Sequence, residues 1–245
     1  LRPGIDILDA VLTGDQRTVI LSTTPQRDRQ TYKLTISGVH DRAASSNSQS
    51  SLQISYTFSK APGLVGYWHL DEGSGVVVQD TSNFGNHGSL VYPGQNPALW
   101  VIGRFGRGLE FDGVDDLVTI DGSSTLREVT RSSHTFSAWV RAKDVPPNSA
   151  DNNTHYSILT RSSTGLYYSH TKRFRAVIRT SDGEFVLQSG TYDPGSWHHV
   201  TMVVESESRK LRLYVDGSEV SGSPLDFSGN LGDLGRAPYF LGTSD

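Results

Sequence analysis

Residues 197–217 read WHHVTMVVESESRKLRLYVDG, and the alternation inside this stretch decides the fold class. From Trp197 to Glu205, Val200, Met202 and Val204 fall on one face of an extended chain, while Thr201 and Val203 fall on the other. Side chains of a strand point to opposite faces with a period of two, so this reads as a central strand. After the polar SESRK turn, Leu211, Leu213 and Val215 repeat the pattern, and Asp216-Gly217 closes it with a strong hairpin signal. The same period runs outward along the chain. In HTFSAWVRA (134–142), Phe136, Ala138 and Val140 alternate, with Trp139 on the opposite face. In TYKLTISGV (31–39) the apolar set is Tyr32, Leu34 and Ile36, and in SLQISYTF (51–58) it is Leu52, Ile54, Tyr56 and Phe58. Helical periodicity is nearly absent. The expectation is an all-β, antiparallel sandwich.

Composition narrows the functional classes. The net charge of −4 over 245 residues gives no electrostatic reason to bind nucleic acid or anionic lipid. Apolar runs such as Val76-Val77-Val78 are far too short for membrane insertion. The chain has no cysteine, which excludes a disulfide scaffold, a thiolate zinc site and a cysteine nucleophile together. A chain of this length buries enough apolar surface to fold without such staples, so export remains open. With neither an initiator methionine nor a leader pattern, residue 1 is expected to be a cut in a longer protein.

Lys60-Ala61-Pro62-Gly63 interrupts the strand pattern and divides the chain into segments 1–61 and 62–245. The first holds about four strands, near 9–12, 19–22, 32–39 and 52–58. In its YKLTISGVHDRA and SLQISYTF blocks it resembles the C-terminal portion of a bacterial immunoglobulin-like or fibronectin-type-III-like sandwich, which needs roughly seven strands in all. The second carries GLVGYWHLDEGSG, QDTSNFGNHGSL, GRFGRGLEFDGVDDLVTI, TFSAWVRA, GSWHHVTMVVESESRKLRLYVDGSEVSG and PYFLGTSD, in that order. Those blocks resemble the laminin-G-like, pentraxin-like branch of the concanavalin A-like jelly rolls. The resemblance implies a further closing strand after PYFLG, and the chain stops at Asp245.

The richest site signal is the loop VVQDTSNFGNHGSL (77–90), which concentrates hard oxygen donors. Asp80, Asn83 and Asn86 are spaced three apart, and Gly85 and Gly88 permit tight curling. Calcium takes six to eight such oxygens. A second acidic set, Asp112, Asp115 and Asp116, opens a strand in FDGVDDL. By resemblance the two lie near each other and share one structural calcium ion, with Asp80, Asn83, Asn86, Asp112 and Asp116 as ligands. The alternative is that Asp80 and Asn83 make Asx-turns with their own backbone.

The resemblance also spans lectins, hydrolases and lyases. A glycosidase needs two facing carboxylates. The related hydrolases carry glutamates alternating along one strand, and no strand here has them, so the chain is expected not to be an enzyme. His198 and His199, adjacent on a strand and pointing oppositely, are expected to pack and hydrogen-bond rather than chelate one ion. Rings suited to stacking on a pyranose are Trp100, Tyr167, Tyr168 and Tyr192, with Arg173 beside Tyr167 and Tyr168 for an anionic group. The Tyr167-Tyr168 stretch reads equally as a strand with one inward tyrosine and a solvated basic side. Asn152-Asn153-Thr154 is a glycosylation sequon, of which one is expected by chance in a chain of this length. Together these lead to an extracellular, secreted or cell-surface, carbohydrate-binding module held by calcium. Its partners would be glycan or a cell-surface protein, alongside other domains of the same parent chain. The alternative is a structural or adhesive module that makes protein contacts or self-assembles.

Overall fold

The computed structural model describes residues 5–12, 19–24, 31–40, 48–49, 51–57, 63–91, 98–147, 154–162, 164–232 and 237–242. Phe58, Asn152 and Asn153 lie outside them. Among the described residues strand makes up 53% and helix 3%, and every strand pairing is antiparallel, which establishes the all-β class. The chain divides into two compact units, residues 1–64 and 65–245.

Among the described residues, the first unit holds three two-stranded ladders. β1 (Ile7–Leu12) pairs with β2 (Val19–Thr23). β3 (Thr31–Ile36) pairs with β6 (Leu52–Thr57), enclosing the short pair β4 (Val39–His40) and β5 (Ser48–Gln49). The strand expected over 32–39 is broken in two, because Gly38 turns the chain at φ 69°, in the left-handed region. Apolar side chains of β1 are left in solvent, Leu8 at 62% exposure.

The second unit is a two-sheet sandwich. Its strands are β7 (Val77–Val78), β8 (Gly88–Val91), β9 (Leu99–Ile102), β10 (Arg107–Glu110), β11 (Leu117–Ile120), β12 (His134–Val140), β13 (His155–Arg161), β14 (Thr164–Ser169), β15 (Arg173–Thr180), β16 (Gly183–Thr191), β17 (His198–Glu205), β18 (Lys210–Val215), β19 (Ser218–Glu219), β20 (Leu225–Asp226) and β21 (Tyr239–Leu241). One sheet runs β16-β15-β14-β13-β21-β11-β8-β7. The other runs β12-β17-β18-β19, with β20 also on β18, and β9 and β10 form a separate hairpin. β14 lies across β17, and β15 and β16 lie across β18.

The expected alternation places the core. Val200, Met202 and Val204 of β17 and Leu211, Leu213 and Val215 of β18 point into one cluster, against Leu166, Tyr168, Phe174, Ala176, Ile178 and Leu187. Each such large apolar side chain, fully buried, contributes about 1.5–3 kcal/mol before entropy is charged. His198 and Asp216 lock the open end of the β17–β18 ladder. The Asp216 carboxylate accepts from the His199 backbone N–H at 2.9 Å and sits 2.8 Å from His198 Nδ1.

The helix α1 (Ser124–Val129) begins at Ser123, whose hydroxyl accepts from the Leu126 N–H. Its C-terminal carbonyls meet the wholly buried Arg161 at the end of β13. Arg161 Nη1 donates to Thr130 Oγ1 (2.6 Å) and to the carbonyls of Arg127 (3.3 Å) and Leu126 (3.5 Å). Its Nε donates to the Ala237 carbonyl (3.2 Å), and the guanidinium lies 5.2 Å from the Tyr239 ring centroid. A cation at a helix C-terminus satisfies orphan carbonyls and opposes the negative end of the dipole. Among the described residues no helix is long and apolar enough to cross a membrane.

Replacing Arg161 by Met removes the donor to the Arg127 and Ala237 carbonyls and to Thr130, while the Leu126 carbonyl keeps the Tyr239 hydroxyl at 2.9 Å. The expected loss is about 3 kcal/mol. Differential scanning calorimetry should read it as a thermal midpoint lower by roughly 6–12 °C in a unit of this size.

Candidate functional site

Between β7 and β8 the loop from Asp80 to His87 closes on one carboxylate. Asp80 Oδ1 accepts from the backbone N–H groups of Tyr67 and Ser82, both at 2.8 Å. Its Oδ2 accepts from Ser82 Oγ (2.6 Å) and the Asn86 N–H (2.7 Å). A carboxylate offers about four lone-pair sites, so the protein itself fills Asp80. The Asp80-to-Ser82 bond is the Asx-turn that the sequence left open as the alternative to calcium. Asn86 is buried and structural too. Its Nδ2 donates to the Val65 carbonyl (2.6 Å) and to Thr125 Oγ1 (3.3 Å), while its own carbonyl accepts from Trp68 Nε1 (2.8 Å). Asn83 is exposed on the loop. Asp80 and Asn86 therefore bind the entrance segment 65–68 and α1 into the sandwich.

Burial alone would raise the Asp80 pKa, but the Ser82 hydroxyl and the N–H groups of Tyr67, Ser82 and Asn86 outweigh it and hold the carboxyl below its usual range. The stability it contributes is present above the unfolded carboxylate value and is lost as pH falls through the depressed folded value. Asp80→Asn puts an amide N–H against donors. We expect it to cost about 2 kcal/mol at neutral pH and to flatten the acid limb of the stability–pH curve, both measurable by urea titration.

The second acidic group lies just before β11. Asp112, Asp115 and Asp116 each bring a carboxylate oxygen within 4.8 Å of the others. Two ligands that both sit about 2.4 Å from one calcium ion are at most about 4.8 Å apart, so the spacing fits. Asp112 Oδ1 accepts from the N–H groups of Val114 (2.8 Å) and Asp115 (3.3 Å), which turns the loop. Those bonds, led by Val114, hold the Asp112 pKa down. Gly113 makes the turn possible, because at φ 76° a Cβ there would stand 2.7 Å from the Tyr156 ring. Tyr156 in turn donates its hydroxyl to Asp144 at 2.9 Å. Burial, then that bond and the Asp144 charge, push the Tyr156 pKa up to about 12.

Asp116 is the anomaly. It is only 2% exposed, and its Oδ1 has no hydrogen-bond partner, whereas Oδ2 accepts from the Asp112 N–H at 3.2 Å. Burial, with further pressure from the charges of Asp112 and Asp115, raises its pKa against the lowering pull of the Asp112 and Ala98 N–H groups. Asp80 is saturated and Asp116 is starved, although the two share a residue type and a level of burial. Asp115 was absent from the expected ligand set, and the FDGVDD spacing was the signal that contained it.

Of the five expected sugar contacts, Tyr167, Tyr168, Arg173 and Tyr192 lie along β14, β15 and the end of β16, and Trp100 lies on the β9–β10 hairpin. Tyr168 is 2% exposed between the sheets, donates to the Tyr192 carbonyl at 2.7 Å, and has its pKa pushed up to about 12, by burial first and the Asp193 charge second. It packs into the core between the sheets. Tyr167 occupies the opposite face of β14, buried, with its ring centroid 4.9 Å from that of His155. β14 is buried on both faces, while Lys172 in the following turn is exposed. Tyr192 packs on Phe174 and His198, and Arg173 donates to the Ser189 carbonyl at 2.6 Å. Trp100 stands on the β9–β10 hairpin and donates Nε1 to the Gly75 carbonyl at 3.2 Å.

A laminin G family model, described as the concanavalin A-like lectin/glucanases superfamily, matches residues 111–245. Among curated proteins none matches the sequence. In fold, the chain is similar to a Trypanosoma rangeli sialidase solved with 2,3-difluoro-KDN, at 18% identity and a TM-score of 0.54 over 75% of this chain and 27% of the sialidase. It thus spans little more than a quarter of that protein's length. It is also similar to domain 4 of AbnA, a GH43 extracellular arabinanase from Geobacillus stearothermophilus solved with arabinotriose, at 15% identity and a TM-score of 0.44 over 67% of this chain and 77% of that domain. The sialidase likeness overturns the expectation that the chain is not an enzyme, because sialidases are enzymes and this fold occurs in them. That expectation leaned on glutamates alternating along one strand, and facing acids can equally come from separate strands that only the tertiary fold brings together. The match over more than half of its length identifies the family: the chain belongs to the concanavalin A-like lectin/glucanases superfamily.

Proposed function

We propose that the sandwich binds glycan as one module of a larger extracellular protein, following an immunoglobulin-like segment, and that a calcium ion held by Asp112, Asp115 and Asp116 steadies the loop before β11. Membership of a lectin/glucanase superfamily supports the glycan reading. The observation that carries the calcium reading is the buried, partnerless Oδ1 of Asp116 inside a three-carboxylate group. Calcium is a hard cation that takes carboxylate oxygens, and three anionic ligands suit it. It would supply no more than charge neutralisation and loop order. A site of three surface-loop carboxylates fits the higher calcium levels outside cells.

A second reading, an adhesive or assembly module, is favoured by the exposed apolar side chains of β1, Ile7, Leu8, Val11 and Leu12. A glycan array probed with the intact chain separates the two. A repeatable saccharide hit is expected. A blank array with concentration-dependent self-association by sedimentation would move the assignment to the second reading.

The calcium site has its own test. At a calcium concentration about a hundredfold above the dissociation constant, the folded state gains about 2.7 kcal/mol, so the midpoint should exceed that in chelator by roughly 5–10 °C. Because the folded pKa of Asp116 is raised, its charge costs the calcium-free form stability as pH rises through that value, and the cost disappears below the unfolded carboxylate range. Asp116→Asn should therefore leave the chelated midpoint equal or higher while abolishing the calcium increment. A wild-type midpoint indifferent to chelator overturns the site.

A further inference from the structure

The outward face of the β12–β17 ladder carries a set of groups that the core does not use. Inward-pointing Ala138 and Val200 force Trp139 and His199, one residue along each strand, to the outside. These two are direct register partners with ring centroids 5.2 Å apart, and Trp139 is 41% exposed. Two rungs further, just beyond the last paired residues, the exposed Arg141 lies with its guanidinium 5.1 Å from the Trp197 ring. The tip of the β9–β10 hairpin leans onto the same place. Phe105 meets Trp139 edge-on at 5.5 Å, and Arg104 lies 5.0 Å from the Phe105 centroid and 5.1 Å from that of Trp139. That tip is held closed by the Gly103 N–H donating to the Gly106 carbonyl at 3.1 Å, and Lys143 paired with Glu110 at 3.0 Å ties β10 to the segment after β12.

Charge pairing sets these two arginines apart. Elsewhere on the sheet cations are neutralised: Arg212 holds Glu205 and Glu219, each at 2.8 Å, and Lys210 holds Asp226 at 2.7 Å. Among the described residues, neither Arg104 nor Arg141 forms an ion pair. In a chain of net charge −4, two unneutralised guanidiniums on tryptophan faces make a local positive field over a flat apolar surface. Stacking on an aromatic ring fixes the guanidinium plane and leaves its N–H edge free to take a carboxylate or sulfate bidentately. Ser137 Oγ, 2.9 Å from His199 Nε2 and 2.8 Å from Thr201 Oγ1, holds the His199 ring in place beside the tryptophan.

We propose that this face, centred on Trp139 and flanked by Arg104 and Arg141, is a binding subsite for an anionic saccharide. The apolar face of a pyranose rests on Trp139, and its carboxylate or sulfate is taken by the two arginines. The proposal rests on the glycan-binding reading above and gives it a place and a charge class. It differs from the sugar contacts expected from the sequence, none of which lies on this ladder.

Isothermal titration of the intact chain in calcium-containing buffer, with oligogalacturonate, a heparin oligosaccharide and maltoheptaose, tests it. The expected result is anionic binding that weakens steeply with added salt and exceeds maltoheptaose binding at least tenfold. Heparin carries both carboxylate and sulfate, so binding of heparin without oligogalacturonate assigns the arginines to sulfate, and binding of oligogalacturonate shows that a carboxylate suffices. Trp139→Ala should abolish binding, and the double variant Arg104→Gln/Arg141→Gln should lower anionic affinity at least tenfold while leaving maltoheptaose unchanged. An unaltered thermal midpoint in the double variant certifies its fold independently of Trp139→Ala. Saccharide binding with no anionic preference, or anionic binding undiminished in the double variant, overturns the subsite and leaves the glycan reading standing. Failure of every saccharide on both the array and the titration overturns both.

Discussion

The period of two along β17 and β18 is the constraint from which the sandwich follows. Val200, Met202, Val204, Leu211, Leu213 and Val215 can all reach one core only in a single register, and a slip of one residue would expose the whole set. The same register determines the outer surface. Once Val200 faces inward, His199 must face outward opposite Trp139, and Thr201 opposite Ser137. Core and candidate recognition face are thus two readings of one alternation.

Sheets alone leave the connections unsecured, and two buried charged groups secure them by opposite chemistry. Asp80, an acceptor with no proton to give, gathers N–H and O–H donors from residues 67–86. Arg161, a donor with no lone pair, gathers carbonyls and a hydroxyl from α1 and from the approach to β21. Each costs desolvation and is retained because its partners would otherwise be buried without bonds. Neither resembles a catalytic or ligand-binding group, since each spends its capacity inside the protein.

Asp116 shows the reverse case. Its neighbours are acids, its Oδ1 receives no proton, and burial leaves the charge exposed to repulsion rather than to water. Such an arrangement gains from a divalent cation what Asp80 gains from its own backbone. The outer face of β12 and β17 repeats the logic with the opposite sign: Arg104 and Arg141 lie against rings, without the carboxylates that quiet Arg212. Unspent electrostatic capacity, rather than residue type, separates candidate sites from structural hubs in this molecule.

The sequence by itself determined the class of fold and the inward sets of β12, β17 and β18, because alternation is a local property and the backbone obeys it. It also contained the FDGVDD cluster, three acids within five residues that the turn at Gly113 draws together. It could not show that Asp80 would be saturated, since the donors at Tyr67 and Asn86 arrive from 13 residues before and six after. Nor could it show that Tyr168 would be sealed in the core while Tyr167 lay buried across the sheet, because the burial of β14 on both faces depends on what packs there. The meeting of Arg104 and Phe105 with Trp139 was equally invisible: a hairpin and a strand separated by some thirty residues come together only when the sandwich closes. Local periodicity writes which way a side chain points, and tertiary packing alone decides what it finds there.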